Sequence, residues 1–365
     1  MPDEMTASGL PRQFALIMQE LLPDGAPPAG IAVAVSGGSD SMALALLSAQ
    51  WTAKSGIPLF ALSVDHGLRP TSGAEADRVL HWLTARGIET QILKWDGPYP
   101  KTGIQEAARD ARYRLMQDYC ARHGIGALLL GHQLEDQLET MLMRLSKGSG
   151  LEGLTAMQMK SRLEELSLLR PLLSLRREVL RNFLRAEKQD WIDDPSNENP
   201  VFTRTRVGAV LTELAQLPGS NLDSIALSLS RLQRASHSLD ILAYQKIRES
   251  CEISRFGFIR LPRAALDGCP DELALRVLNA SGPDCLACRE PGRAGLPETE
   301  VAPGEGGWIW DNRFLITDNT PEQLLPEPLR LAALGEDGGR QIRDHADESF
   351  MSQLPAKVRH SLPAL

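Results

Sequence analysis

A chain of 365 residues, 42% apolar and 24% charged, is long enough for two or three domains with cores of their own and has the balance of an ordinary globular protein. Its net charge of −8 argues against a generally basic nucleic-acid coat but leaves room for a local basic face. Five cysteines, an odd number, with no apolar leader in the first residues and no long apolar run, predict a reducing cytoplasm and argue against secretion and membrane spanning.

Apolar residues at Phe14, Ile17, Met18, Leu21 and Leu22 predict a helix over residues 13–22, ended by Pro23 and the Gly/Pro-rich stretch to Gly30. Residues 31–35, Ile-Ala-Val-Ala-Val, have the composition of a strand buried on both faces of a parallel sheet, and residues 42–51 are helix-forming. Between them Ser36-Gly37-Gly38-Ser39-Asp40-Ser41 must turn the chain sharply. The two glycines permit φ > 0 and leave no Cβ in the way of an incoming group, so backbone N–H groups converge on an anion at a helix N-terminus. Ser39 and Ser41 add hydroxyl donors. Asp40 is an acid in an anion site, which points to Mg²⁺ between it and phosphate. Neither Gly-x-x-x-x-Gly-Lys-Ser/Thr nor Gly-x-Gly-x-x-Gly occurs here. The hexapeptide directly after a strand resembles the PP-loop of the ATP pyrophosphatase superfamily. That resemblance implies ATP, split between its α and β phosphates to adenylate an oxygen.

Residues 59–64 are the next strand, ending in Asp65-His66-Gly67-Leu68. In an open α/β sheet that end faces the ligand crevice, so Asp65 and His66 are candidates to meet the nucleotide, capping of the strand being the alternative. A helix over 74–86 stopped by Gly87, a strand over 89–93, a helix over 104–123 with Arg109 and Arg112 three apart, and a strand over 127–130 follow. Then comes Gly131-His132-Gln133-Leu134-Glu135-Asp136-Gln137-Leu138-Glu139. A helix from about Leu134 puts Asp136 and Glu139 on one face with His132 at its mouth. Favourable acids in a first turn would explain the carboxylates but not His132 and Gln137. Carboxylates beside a nucleotide can hold Mg²⁺ or bind a substrate ammonium. From Arg144 to Asp190 ten Lys/Arg face six Asp/Glu, and Arg176, Arg177, Arg181 and Arg185 recur at helical spacing, either as a phosphate-backbone contact or as a solvated face. After the turn Asp194-Pro195-Ser196-Asn197, Arg204 and Arg206 are placed to grip a phosphate or a carboxylate.

Seven ordered blocks resemble the tRNA(Ile)-lysidine synthase family: Ser36 to Ser41, Val64 to Arg69, Arg112-Tyr113, Gly131 to Thr140, Lys147 to Gly150, Arg170-Pro171-Leu172-Leu173 and Asp194 to Asn197. The likeness covers about residues 14 to 215. It implies that ATP adenylates the C2 oxygen of the wobble cytidine of a CAU-anticodon tRNA(Ile), and that the ε-amine of L-lysine then displaces AMP. Asp40, Asp136 and His132 are then the catalytic candidates, and Ser36 to Ser41 with Asp65 and His66 bind the nucleotide. Asp40 is the metal ligand. Arg112, Arg204 and Arg206 suit lysine's carboxylate, Asp136 and Glu139 its ammonium. The family usually has Asp-Asp where this chain has Glu135-Asp136.

Toward the C-terminus, residues 222–247 look helical, and 256–261 and 308–316 look like strands; Trp308 to Phe314 resembles a segment of short family members. Cys285-Leu286-Ala287-Cys288 with Cys251 and Cys269 lacks the spacing of a zinc ribbon or finger, so ordinary cysteines are expected. The expected fold is α/β: a doubly wound, mostly parallel, Rossmann-like sheet over 1–215, a helical connector over 216–250 and a small mixed α+β domain over 251–365 with a tRNA-holding role. A homodimer is allowed. The rival readings are a tRNA cytidine thiolase of the same superfamily, with only Cys120 in its nucleotide domain, an amide-forming ligase, and a nucleotide sensor without turnover.

Overall fold

The computed structural model describes residues 9–23, 29–68, 71–97, 100, 102–193, 203–250, 252–253, 259–260, 266, 268–281, 302–304, 307–310, 314–316 and 330–331. The chain divides into two compact units, Met1–Leu232 and Gln233–Leu365.

The first unit is built on a six-stranded sheet in the order β3-β2-β1-β4-β6-β5. Its strands are β1 (Ile31–Ala34), β2 (Leu59–Asp65), β3 (Glu89–Lys94), β4 (Ala127–Leu129), β5 (Lys160–Leu163) and β6 (Leu166–Leu169). All pairings are parallel except the β5–β6 hairpin. The helices are α1 (Leu10–Leu21), α2 (Ser39–Ser55), α3 (Ser72–Ala85), α4 (Ile104–Arg122), α5 (Leu134–Leu145), the short α6 (Leu151–Leu154), α7 (Arg177–Ala186) and α8 (Thr203–Ala215), followed by the long α9 (Leu222–Ser250).

Burial on both faces explains why the central strands read as continuous apolar runs. On β1, Ile31 and Val33 enter a core with Phe14, Leu44 and Phe183, while Ala32 faces the opposite core with Met116 and Leu128. β4 repeats the alternation, with Ala127 and Leu129 on the first side and Leu128 on the second. A third cluster joins Leu138 and Met141 of α5 to Leu211 of α8 and Leu229 of α9.

The hairpin was not foreseen from sequence. Its turn uses Glu164 at φ +50, without the glycine or asparagine that marks such turns, and Lys160 and Arg162 disguise its outer face as part of a basic stretch. Arg170, read as part of a motif, anchors it: Nη1 donates to Gln158 O and Ser161 Oγ, both at 2.9 Å.

The described part of the second unit holds α10 (Asp271–Ser281) and two three-stranded antiparallel sheets. One sheet comprises β7 (Glu252–Ile253), β8 (Ile259–Arg260) and β12 (Arg330–Leu331); the other comprises β9 (Ala302–Gly304), β10 (Gly307–Trp310) and β11 (Phe314–Ile316). The expected strand over 256–261 is therefore found only at Ile259–Arg260, the rest of that stretch lying outside the described residues. Buried Arg276 ties α10 to the second half of α9, donating to Ser236 O and Oγ at 3.1 Å and pairing with Asp240 and Glu272.

Candidate active site

The strand order reverses direction between β1 and β4, and in such sheets the crevice at the carboxyl ends of those two strands is the place for a ligand. The PP-loop leaves β1 there and the acidic helix α5 follows β4. Gly131 lets the two approach: a Cβ on it would stand 3.1 Å from Ser41 N and Cα and 3.3 Å from Asp40 C.

In the PP-loop only Gly37 takes a positive φ, +89, where a Cβ would also strike Ile192 and Val79 at 2.8 Å. Gly38 does not use the positive-φ freedom that the glycine pair permits. It is the N-cap of α2 at φ −70 and ψ 162, open to any residue, and a Cβ there would meet nothing closer than 3.8 Å. With no side chain at the N-cap, the first N–H groups of α2 are left without a side-chain cap. The serine hydroxyls are engaged internally: Ser41 donates to Gly38 O (2.9 Å) and accepts from Ser36 N–H (3.2 Å), and Ser39 donates to Asp40 (3.1 Å).

Helix α5 is finished differently. Gln133 accepts from Glu135 N–H (2.5 Å), and Asp136 accepts from Gln133 N–H (3.1 Å), a reciprocal cap. Gln137, which capping did not account for, is buried and clamps Met157 through both its N–H (2.7 Å) and its carbonyl (2.8 Å). Glu135, at the position of the family departure, accepts from the backbone N–H of Arg177 at 3.1 and 3.3 Å.

One cleft of about 1790 Å³ is lined by Ser36, Gly38, Ser39, Asp40, Ser41, His66, Arg112, His132, Asp136 and Glu139. It exceeds the roughly 300–1,000 Å³ of a pocket made for one drug-sized ligand, so it has room for more than one substrate. Gly37 and Asp65 are not on its wall. Asp65 holds the β2–α3 loop, accepting from Ser72 Oγ (2.7 Å) and Gly67 N–H (3.0 Å), and the Ser72 bond draws its carboxyl below the usual range. Arg206 is exposed on α8, which reaches the cleft through Gly208, Leu211 and Thr212 instead; the Arg204 side chain lies outside the described residues.

The residue that sequence reasoning underused is Arg177. Its Nε donates to Asp40 Oδ2 at 3.4 Å. Burial opposes its charge, but the carboxylates of Asp40, Asp136, Glu135 and Glu139 outweigh this and hold the guanidinium protonated. Burial pushes the Asp40 carboxyl above its ordinary range, Arg177 pulling the other way. The basic stripe on α7 is thus paired off: Arg176 with Asp223, Arg177 with Asp40, Arg181 with Asp193 and Arg185 with Glu178. On α4, Arg109 and Arg112 line the cleft beside Tyr113, 5.2 and 5.9 Å from its ring centroid.

Residues 10–214 match the model of the PP-loop domain family. Three curated relatives are each a tRNA(Ile)-lysidine synthase. That of Bradyrhizobium sp. is 43% identical over 215 residues, covering 58% of this chain and 60% of the relative. That of Bradyrhizobium diazoefficiens is 36% identical over 280 residues (74% and 77%), and that of Methylobacterium nodulans 38% over 273 residues (73% and 78%). The chain belongs to the tRNA(Ile)-lysidine synthase family of PP-loop proteins. The aligned stretch spans 60% of the first of these lysidine synthases, so family membership carries further than the activity of the whole protein. Within this lysidine synthase homologue the PP-loop, His132 and the acidic pair of α5 all fall inside the matched region. No helix of the described residues is long and apolar enough to cross a membrane.

Proposed function

We propose that the protein ligates L-lysine to C2 of the wobble cytidine of a CAU-anticodon tRNA(Ile) in the cytoplasm, using ATP and releasing AMP and pyrophosphate. The observation that carries this reading is the open N-terminus of α2 beside the acidic face of α5 in a single cleft.

The cytidine C2 oxygen attacks the α-phosphorus, the bond to the bridging oxygen breaks, and pyrophosphate leaves with the electron pair. The ε-amine of lysine, having lost a proton, then bonds to C2 as the C2–O bond breaks and AMP departs. PP-loop N–H groups at a helix N-terminus suit the phosphates. Asp136 and Glu139 supply negative charge for an ammonium, Arg112 a partner for a carboxylate, and His132 a proton-handling group at the mouth of α5. Mg²⁺ fits this donor set: it commonly takes one or two carboxylates and completes its shell with phosphate and water. Asp40 and Asp136 would hold it, and bound there it would neutralise phosphate charge. The second unit, Gln233–Leu365, we assign to holding the tRNA.

A thiolase reading would need a reactive thiol in the nucleotide domain. Cys120 is 1% exposed and burial pushes its thiol up to about 12, so it carries no thiolate at neutral pH.

The test incubates the protein with ATP, Mg²⁺, lysine and a CAU-anticodon tRNA(Ile) and digests the RNA for mass spectrometry. A lysyl-modified cytidine is expected. Its absence while the tRNA is folded and bound would overturn the assignment.

A further inference from the structure

We propose that Arg177 is a phosphate-binding residue of this cleft, receiving the β- and γ-phosphates of ATP and holding pyrophosphate as it leaves, and that Glu135 positions it. The proposal rests on the reading that the cleft splits ATP between its α and β phosphates.

Of the three arginines on α7 and the one at its N-cap, Arg177 alone pairs with a carboxylate of the phosphate loop; the partners of the others lie elsewhere. Its contact with Asp40 runs through Nε at 3.4 Å, longer than the roughly 2.7–2.9 Å of a strong charge-assisted hydrogen bond. The two Nη groups, the fork that matches phosphate oxygens bidentately, are not the part engaged in that contact. The pair is therefore a resting contact that a stronger anion can displace. The side chain is 39% exposed and lines the cleft, so it is reachable.

Its position is set by the backbone. Arg177 is the first residue of α7, whose N-cap, Arg176, makes no side-chain cap. Glu135 supplies the missing acceptor from α5, taking the Arg177 N–H with both carboxylate oxygens and placing negative charge where the α7 dipole favours it. One bond network thus links the acidic helix, the start of α7 and the phosphate loop. When the α–β bond of ATP breaks, the electron pair goes to the pyrophosphate oxygen. A guanidinium already aimed there stabilises that charge without reorganising, and no further reactant is needed.

The test is calorimetric titration of pyrophosphate, AMP and lysine into the wild type, Arg177→Gln, Arg177→Lys and Glu135→Gln. Losing charge-assisted contacts should weaken pyrophosphate about tenfold in Arg177→Gln, with Arg177→Lys between it and wild type and Glu135→Gln about threefold weaker. AMP, which lacks the β and γ phosphates, and lysine should bind as before, a split that a merely structural loss would not produce. If Arg177→Gln does not fold, Arg177→Lys keeps the charge and loses the fork, and carries the comparison alone. Wild-type pyrophosphate affinity in the Arg177 variants, a parallel loss of AMP affinity, or no pyrophosphate binding by the wild type would each overturn the proposal. None of these titrations contains tRNA, so failure to form lysidine would count against the proposed function alone.

Discussion

Two helix N-termini stand side by side at the carboxyl edge of the sheet, and they are built in opposite ways. That of α2 begins at Gly38, which has no side chain with which to cap it; that of α5 is closed by Gln133 and Asp136 bonding reciprocally. A glycine N-cap forgoes about a few tenths of a kcal/mol relative to a serine or aspartate, so leaving this terminus open costs little stability. On the proposed function, the anion belongs to the terminus that has no side-chain cap, while α5 contributes fixed negative charge. The acids of α5 are consequently doing two things, as Asp136 both caps its helix and bears on Arg177 and Asp40.

The largest break in this comparison is Asp40→Asn. Removing the carboxylate from the open terminus should lower the rate of ATP-dependent modification by about 10³-fold, read from AMP release, while the fold persists. Its stability should not fall at neutral pH. The folded chain holds the Asp40 proton more tightly than the unfolded chain because burial disfavours the anion. The cost is present in full above the folded-state value and is relieved as pH falls through it toward the ordinary carboxylate range. Arg177 keeps three other carboxylates in the variant. The melting midpoint of Asp40→Asn should therefore match or exceed the parent's at pH 7, the gap closing on acidification; a variant that melts well below its parent at pH 7 would show that the pair with Arg177 outweighs burial.

Next is Gly131→Ala, which drives a methyl into the backbone at Ser41 and forces the two termini apart. A loss of about 1–3 kcal/mol is expected from denaturant melts, with weaker ATP binding. Unchanged stability would mean that the close approach is not needed. The smallest effect belongs to Gln133→Ala, which opens the closed terminus. It should cost about 1 kcal/mol and leave ATP affinity alone, because the open end of α5 still faces its own carboxylates; ATP binding that strengthens instead would make the two termini interchangeable.

Much of this arrangement was legible in the sequence. The strand, hexapeptide and helix from Ile31 onward, and the acidic helix after Ala127, announce themselves because buried parallel strands are continuous apolar runs and glycines have few other reasons to stand in pairs. What was not legible depends on partners distant in the chain. Arg177 looks like the other arginines of α7 until Asp40, 137 residues away, is seen beside it. Asp65 looks like a site residue from its place at a strand end, yet Ser72 takes its carboxylate. Arg206 follows a turn in sequence but sits on the exposed side of α8, because only Gly208, Leu211 and their neighbours fall on the face toward the cleft. Gln137 shares a motif with the acids but turns inward to Met157.

The central claim is that the uncapped start of α2 grips the triphosphate, and Gly38→Ser tests it most directly. The backbone there already has the conformation of a serine N-cap, and the nearest neighbour of a Cβ is at 3.8 Å. The serine hydroxyl should close the terminus as Gln133 closes that of α5. Calorimetric titration of ATP should then show binding weakened at least about tenfold in a protein that melts no lower than its parent. ATP affinity equal to the parent's, with the serine in place and the fold intact, would contradict the account.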